Sequence, residues 1–243
     1  MEDRLLLVFT VAIVLAGIGG GIWVVHQPDM ANASPQIDQN PYNITLVIQH
    51  GIIFNSSVGT QPSYFILQNG TLQSSSNLNL PADRVINLII IDFDNGPSPL
   101  MNPNMNTVEG TIGGHVNVTG ISQIQSIPDI NHEMTQVQFM SYYNNNDSKA
   151  LSTLYSQVNS ASFFSNSTSV SSLSANNIAH TFTVSAFGLN IPTQPQTVTH
   201  ARFVITAGGT ATWQCEAECG SGSLGLNGAM ATPGWMLGSI TIS

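Results

Sequence analysis

The stretch Thr210-Ala-Thr-Trp-Gln-Cys-Glu-Ala-Glu-Cys-Gly220 joins a β-branched run to the only two cysteines of the 243-residue chain. Three residues separate Cys215 from Cys219, so a tight turn can aim both sulfur atoms at one metal ion or let them bridge two. Thiolates are the ligands that select copper, zinc or iron–sulfur centres. The run Thr210–Gln214 predicts a strand that ends where the cysteines begin. The motif therefore favours one metal centre held on one loop of a β protein.

Other short runs of β-branched and aromatic residues extend this prediction along the chain. They are separated by Gly, Pro, Asn and Ser, which is the pattern of strands and turns. Together with Thr210–Gln214 they make eight predicted strands, a number typical of a Greek-key barrel or sandwich. The runs are Tyr42–Ile48, Tyr64–Leu67, Arg84–Asp92, Thr135–Tyr143, Thr181–Phe187, Ala201–Thr206 and Leu237–Ser243. One short helix is expected near Lys149–Val158, within an Asn/Ser-rich insertion at about residues 144–176.

Three segments near the C-terminus stand in a recognisable order. Ser174-Ala-Asn-Asn-Ile-Ala-His180-Thr-Phe comes first, Gln214-Cys-Glu-Ala-Glu-Cys-Gly220 follows, and Met236-Leu-Gly-Ser-Ile240 comes last. In this order they resemble subunit II of the haem–copper terminal oxidases, whose outer domain is a cupredoxin carrying the dinuclear copper centre CuA. The resemblance runs from about Leu173 to Ser243. It implies a mainly β, cupredoxin-like Greek-key barrel or sandwich.

The resemblance also implies a set of copper ligands. In that family two cysteines bridge two copper ions, each copper takes one histidine, and a methionine and one backbone carbonyl complete the set. Carried over, the side-chain ligands would be His180, Cys215, Cys219 and Met236, and Ala217 would provide the carbonyl. Met230 is an alternative methionine.

The second histidine of the family pattern is missing. Ser223 stands four residues after Cys219, Pro233 stands where the histidine belongs if Met236 is the methionine, and no histidine follows His200. Three interpretations stay open: a modified copper site, a Cys215–Cys219 disulfide, or two free thiols in a related fold. Folding can bring another imidazole to the site from elsewhere in the chain, where the remaining histidines lack ligand-like context: His26, His50, His115, His132 and His200.

The N-terminal segment has the length and composition of a membrane anchor. Leu5–Val25 comprises 21 consecutive uncharged residues, enough for a helix to cross a bilayer. The sequence therefore predicts one transmembrane helix within residues 1–27, a polar linker at 28–41, and an extracytoplasmic domain at 42–243. The alternative is a signal peptide cleaved near Ala31-Asn-Ala33.

Seven N-x-Ser/Thr sequons follow the predicted anchor and favour an exterior location for the domain. They lie at Asn32, Asn43, Asn55, Asn69, Asn117, Asn146 and Asn166. Only 7% of the residues are charged and the net charge is −9. Such a surface is insensitive to pH, which suggests the outer face of an acidophile, an archaeon in this interpretation. The absence of a basic patch in the sequence argues against nucleic-acid binding.

These observations favour a single-pass membrane protein that serves as subunit II of a terminal oxidase. It would provide electron entry or structural support to the haem-containing subunit I, beside other respiratory subunits. The electron donor would be a small copper protein, or there would be none if the oxidase uses quinol. The alternatives are a membrane-anchored blue copper carrier similar to sulfocyanin and a non-redox surface protein with a Cys215–Cys219 disulfide. The sequence carries no convincing nucleophile–base pair, so catalysis would belong to the assembly.

Overall fold

The computed structural model describes residues 36–125, 127 and 133–243. Residues 37–243 form one compact unit. The predicted transmembrane helix, the linker up to residue 35, the alternative cleavage site and Asn32 lie outside the described residues. Among those described, no helix is both long and apolar enough to cross a membrane.

The described chain contains thirteen strands and two α-helices. The strands are β1 (Asp38–Asn55), β2 (Gly59–Gln68), β3 (Thr71–Ser74), β4 (Asn77–Leu80), β5 (Arg84–Asp92), β6 (Val116–Gly120), β7 (Met134–Thr135), β8 (Thr168–Val170), β9 (His180–Val184), β10 (Leu189–Thr193), β11 (Thr197–Val204), β12 (Gly209–Gln214) and β13 (Leu237–Ile242). The helices are α1 (Gln136–Asn146) and α2 (Ser148–Val158).

The strands form two sheets. The first has the order β3-β2-β1-β5-β11-β6-β8, with β7 paired to β1, and the second has the order β10-β9-β12-β13-β4. Most neighbours are antiparallel, but β1 runs parallel to β5 and to β7, and β4 runs parallel to β13. The fold is thus a mainly β sandwich, consistent with the predicted cupredoxin-like class.

Apolar side chains from both sheets fill the space between them. Tyr64 of β2 and Trp213 of β12 are fully buried, and their ring centroids lie 5.1 Å apart. The Tyr64 hydroxyl donates a hydrogen bond to the Thr181 carbonyl across the sandwich at 3.0 Å. Burial of such large rings is worth several kcal/mol in total, at about 25 cal/mol per Å² of apolar surface. This core fixes the second sheet, which carries the cysteines, against the first.

One predicted strand is wrong. Thr135–Tyr143 reads as β because it is rich in aromatic and β-branched residues, but residues 136–146 form helix α1. Thr135 caps the helix in a reciprocal capping box with Gln138. Phe139 and Tyr143, four residues apart, are buried on one face, and Phe139 stacks on Phe65 of β2 at 4.9 Å. The helical spacing of two buried rings therefore outweighs the local strand preference.

The other predicted elements agree with the structure, with shifted ends. The short helix is present as α2, inside the predicted insertion, and β8 of the same insertion pairs with β6. Strand β1 begins at Asp38, so residues 38–41, predicted as linker, belong to the sheet. Arg84 accounts for this extension, since its guanidinium lies 3.6 Å from the Asp38 carboxylate and donates to the Asn40 carbonyl.

Candidate metal centre

The site lies at one end of the second sheet, where β9 begins and β12 ends. His180 is the first residue of β9, and Cys215 follows directly after β12. The two strands are neighbours, with Gln214 opposite Thr183. Cys215 is held by three hydrogen bonds with the backbone: its N–H donates to the Met236 carbonyl at 2.8 Å, and its sulfur accepts the N–H groups of Thr181 and Ala217, both at 3.4 Å.

The side chains of His180, Cys215 and Cys219 converge. Their ligand atoms all lie within 4.8 Å of one another, and all three residues are buried. The His180 Nδ1 atom is 3.9 Å from the Cys215 sulfur, which is 3.4 Å from the Cys219 sulfur. A disulfide bond measures about 2.05 Å between sulfurs, and both cysteines are free here. The structure therefore presents a reduced thiol pair facing an imidazole.

Met230 adds a fourth soft donor. Its Sδ atom lies 3.3 Å from the Cys219 sulfur. Met236, which the family order singled out, is fully buried and contacts the site through its backbone, because its carbonyl accepts the Cys215 N–H. Its neighbour Trp235 is also buried. The alternative methionine of the sequence analysis thus supplies the sulfur that contacts the cluster.

The loop that carries the cysteines is tied to the chain around Leu100. Glu218 donates its N–H to the Pro99 carbonyl at 2.8 Å, and Ala217 forms an isolated bridge with Leu100. The Ala217 carbonyl accepts the N–H of Cys219 at 2.8 Å, which closes the turn between the two cysteines. The predicted carbonyl ligand is therefore engaged within the turn and lies 3.8 Å from the Cys215 sulfur.

Gly220 lets the loop pass close to the methionine. A Cβ atom at this position would lie under 3 Å from the Met230 side chain and from the carbonyls of Gly225 and Asn227. The Gly220 N–H also donates to the Gly225 carbonyl at 2.9 Å. The glycine that follows Cys219 is thus required by packing within the ligand loop.

His180 is fixed by carboxylates on the side away from the sulfurs. Its Nε2 atom lies 2.9 Å from Asp94 Oδ2, and the His180 side chain is inaccessible to solvent. Burial lowers the pKa of His180, but the charge of Asp92 and the hydrogen bonds to Asp94 and Cys215 outweigh it and raise the pKa to about 10. Without metal, the imidazole is therefore protonated at neutral pH.

The two cysteines differ in protonation. Burial raises the pKa of Cys215, but hydrogen bonds with Cys219, His180 and the Thr181 backbone, together with the His180 charge, hold it well below its usual value. Burial and the adjacent Cys215 thiolate raise the pKa of Cys219. The metal-free pair is thus a thiolate beside a thiol, and the thiolate is the form that binds metals.

Asp94 is a residue that the sequence analysis missed. It lies two residues beyond β5, and a carboxylate at the end of a buried apolar strand was the available signal. Burial raises the pKa of Asp94, but the hydrogen bond and charge of His180 lower it below its ordinary value. A carboxylate on the distal nitrogen of a metal-binding histidine is the usual arrangement at metal sites.

The histidines elsewhere in the described chain make other contacts. The ring nitrogens of His50 lie 3.1 Å from the Phe93 carbonyl and 3.0 Å from the Asn95 amide. His115 is exposed, and its Nδ1 lies 3.1 Å from the Gly113 carbonyl. The ring of His200 packs on Phe164 with centroids 4.9 Å apart. Within residues 36–125, 127 and 133–243, His180 is the imidazole of the cluster, and His26 and His132 lie outside that part.

The donor set suits copper. It offers one imidazole nitrogen and two cysteine sulfurs in buried positions, together with the thioether of the partly buried Met230, and copper is one of the metals that such ligands select. Among the described residues, a second ion bridged by the same cysteines would find the Ala217 carbonyl and no second imidazole, since the exposed Pro233 supplies no donor. His180, Cys215 and Cys219 could therefore hold copper.

The predicted glycosylation sites within the described residues lie at the surface. Asn43, Asn55, Asn69, Asn146 and Asn166 are exposed, and Asn117 is half-buried. Their glycosylation stays a prediction.

No protein-family model and no curated protein sequence matches the chain. Among solved structures, auracyanin B is similar over 88% of this chain and 93% of its own, at 11% sequence identity and a TM-score of 0.26. So loose a superposition carries no argument about function, which rests here on the residues themselves.

Proposed function

We propose that this chain is a copper-dependent electron-transfer protein that holds a single copper ion between His180, Cys215, Cys219 and Met230. The observation that carries the proposal is the convergence of three buried ligands, His180, Cys215 and Cys219, with the sulfur of the partly buried Met230 beside them. The imidazole is oriented from behind by Asp94. Copper would supply one-electron redox chemistry there. The chain's own contribution is to hold the donors in one geometry and to exclude water.

Burial and rigidity support electron transfer over metal storage. His180 and Cys215 are inaccessible to solvent, whereas Cys219 keeps 8% of its surface. The nearby loop tip exposes Leu224 and Leu226. Donors fixed by two strands and a closed turn need little rearrangement when the ion changes charge. A site close to the surface can also exchange electrons with a partner.

The finer proposal is that the protein is subunit II of a membrane haem–copper oxidase. It rests on the family order of His180, Cys215, Cys219 and a methionine. In this proposal residues 1–27 anchor the chain and the domain lies outside the cell, above the haem-containing subunit I. Electrons enter from a small copper protein, or from quinol if copper is lost and the domain supports assembly.

A membrane-anchored copper carrier is the second candidate, because such carriers hold a single copper ion, as the site proposed here does. Two histidines and one cysteine are the usual ligands of a blue copper site, whereas this cluster has one histidine and two cysteines. Purification from the native membrane separates the two assignments. Haem-containing subunits that co-purify with the chain would support the oxidase, and a chain that purifies alone with copper would support the carrier.

The copper proposal is tested by loading the full chain with Cu(I) under reducing conditions and measuring bound copper, followed by visible absorption and EPR spectra after oxidation. We expect one copper per chain, a thiolate-to-copper absorption band and hyperfine structure from a single copper nucleus. Cys215→Ser should lose this absorption band and hyperfine pattern. Two copper ions sharing a delocalised electron would restore the dinuclear interpretation. No copper uptake would contradict the proposal and leave the disulfide or free-thiol interpretations.

A further inference from the structure

The carboxylate of Asp94 determines which nitrogen of His180 faces the sulfurs. Asp94 Oδ2 lies 2.9 Å from Nε2, and Nδ1 lies 3.9 Å from the Cys215 sulfur on the opposite side of the ring. An ionised carboxylate only accepts hydrogen bonds, so Nε2 must carry the hydrogen. When the imidazole loses one proton, the lone pair is therefore left on Nδ1, directed at the sulfurs.

Asp94 is held in this position by the backbone around it. Its N–H donates to Asp92 Oδ1 at 3.0 Å, and its Oδ1 accepts the Asn95 N–H at 2.6 Å, which leaves Oδ2 for His180. The Gln196 side-chain amide donates to the carbonyls of Phe93 and Asp94, both at 2.9 Å. Asp92 and Gln196 thus hold the backbone of Asp94, and the Asn95 N–H orients its carboxylate.

A second carboxylate ties this turn to the other sheet. Asp92 is fully buried at the end of β5, and its Oδ2 accepts the Thr193 hydroxyl at 2.7 Å. Thr193 pairs with His180 in the β9–β10 ladder, and its hydroxyl also lies 3.3 Å from the His180 carbonyl. A chain of hydrogen bonds therefore runs from the His180 backbone through Thr193, Asp92 and Asp94 and returns to the His180 ring.

Asp92 is fully buried and Asp94 is partly buried, and placing carboxylates there is costly unless they meet partners that offset their desolvation. His180 is such a partner: its ring lies 2.9 Å from Asp94, and it pairs with Thr193, whose hydroxyl binds Asp92. Packing of the core does not explain this arrangement. The sulfurs of Cys215 and Cys219 on the Nδ1 side of the ring indicate that it orients His180 toward a metal.

We propose that Asp94 is a positioning residue for the metal site: it fixes His180 as an Nδ1 ligand, and the Asp92–Thr193 hydrogen bond fixes Asp94. This inference rests on the proposed copper function and specifies how one of its ligands is prepared. The Asp94 carboxylate would also lower the reduction potential of bound copper, since its negative charge at Nε2 favours the cupric over the cuprous state.

The test uses the full chain with Cu(I) as the probe. The wild type, labelled with ¹⁵N-histidine and loaded with Cu(I), should show His180 bound through Nδ1 with a proton retained on Nε2. Asp94→Asn keeps the shape of the side chain but removes its charge. It should lower Cu(I) affinity roughly 10–100-fold, the usual cost of losing such a partner, and raise the reduction potential. The matched control is Asp38→Asn, which removes an exposed carboxylate beside Arg84 and should leave both quantities unchanged.

Two results would overturn the inference while leaving the copper function intact: His180 bound through Nε2 in the wild type, or an Asp94→Asn protein with the affinity and potential of the wild type. The NMR measurement needs no substitution, so poor folding of the variant does not remove the test. A wild type that takes up no Cu(I) would instead contradict the proposed function itself.

Discussion

The Sδ atom of Met230 and the Sγ atom of Cys219 lie 3.3 Å apart, although ten residues separate them in the chain. The loop between them closes on itself, because Ser221 and Asn227 exchange two backbone hydrogen bonds at 3.0 and 2.9 Å. This closure brings residue 230 back to the cysteines. This contact makes Met230 the thioether ligand of the proposed copper site.

Met230→Leu should therefore change the copper site, whereas Met236→Leu should change stability. Losing the thioether should lower Cu(I) affinity by about tenfold, equivalent to about 1.4 kcal/mol, and shift the visible spectrum. Met236 is fully buried, and a volume-conserving change there should cost less than about 1.5 kcal/mol of unfolding free energy. Competition with a Cu(I) chelator and urea unfolding measure the two effects. A normal affinity for Met230→Leu together with a weakened one for Met236→Leu would reverse the assignment.

Copper binding should release protons. His180, with a pKa of about 10, and Cys219, whose pKa is raised, both hold protons in the metal-free protein at neutral pH. The metal must displace both, so we expect about two protons per ion and an affinity that rises roughly hundredfold per pH unit near neutrality. A pH indicator in weakly buffered solution measures the release. Cys219→Ser should release about one proton fewer, and binding without proton release would contradict the assigned protonation states.

Gly220→Ala should disturb the metal loop. The new methyl group would meet the Met230 side chain and two backbone carbonyls, and such overpacking costs about 1–3 kcal/mol. We expect weaker copper binding and an altered spectrum. Gly96→Ala is the matched control, because a Cβ at Gly96 meets nothing within 4 Å. Equal copper affinities in the two variants would contradict this prediction, because they would mean that the loop accommodates a methyl group at residue 220.

His200 should make the fold less stable in acid. Burial, and secondarily the charge of Arg202, lower the pKa of His200 from 6.5 to about 4. In the unfolded chain His200 binds a proton below about pH 6.5, whereas in the folded protein it stays neutral until about pH 4. The free energy of unfolding is therefore unaffected by His200 above pH 6.5 and decreases as the pH falls from 6.5 to 4. The loss should reach about 2 kcal/mol, since each pKa unit is worth about 1.4 kcal/mol and partial exposure reduces the total.

Urea unfolding at several pH values measures this loss. His200→Gln should remove the slope between pH 6.5 and 4. Arg202→Gln should reduce it in part, because burial is the larger cause. An unchanged slope in His200→Gln would assign the acid sensitivity to other groups.

The sequence predicts those parts of the fold whose local pattern and tertiary environment agree. Arg84–Asp92 is an apolar run interrupted only by Asn87 between its charged ends, and it forms β5 with the predicted ends because neighbouring strands pair with it on both sides. Thr135–Tyr143 has strand-forming composition, but its buried rings recur every four residues and it forms a helix. Local composition could not reveal this, since the decisive contact of Phe139 is with Phe65, far away in the chain.

The site divides in the same way. Spacing identified His180, Cys215 and Cys219, because the two cysteines share a turn and the histidine begins a strand. Spacing could not choose between Met230 and Met236, because the choice depends on how the loop closes. Asp94 is 86 residues from His180, and their contact exists only once the two sheets pack together.

In the proposed copper site, all three sulfur donors come from one continuous stretch, residues 215–230, while the nitrogen donor comes from a strand of the sandwich. The residues that would select the metal therefore lie mostly in one segment that can be moved to another protein. Transplanting this stretch onto another sandwich with a histidine at the corresponding strand end would transfer a thiolate-rich copper site, and replacing it here with a histidine-containing loop would respecify the ion while leaving the scaffold untouched.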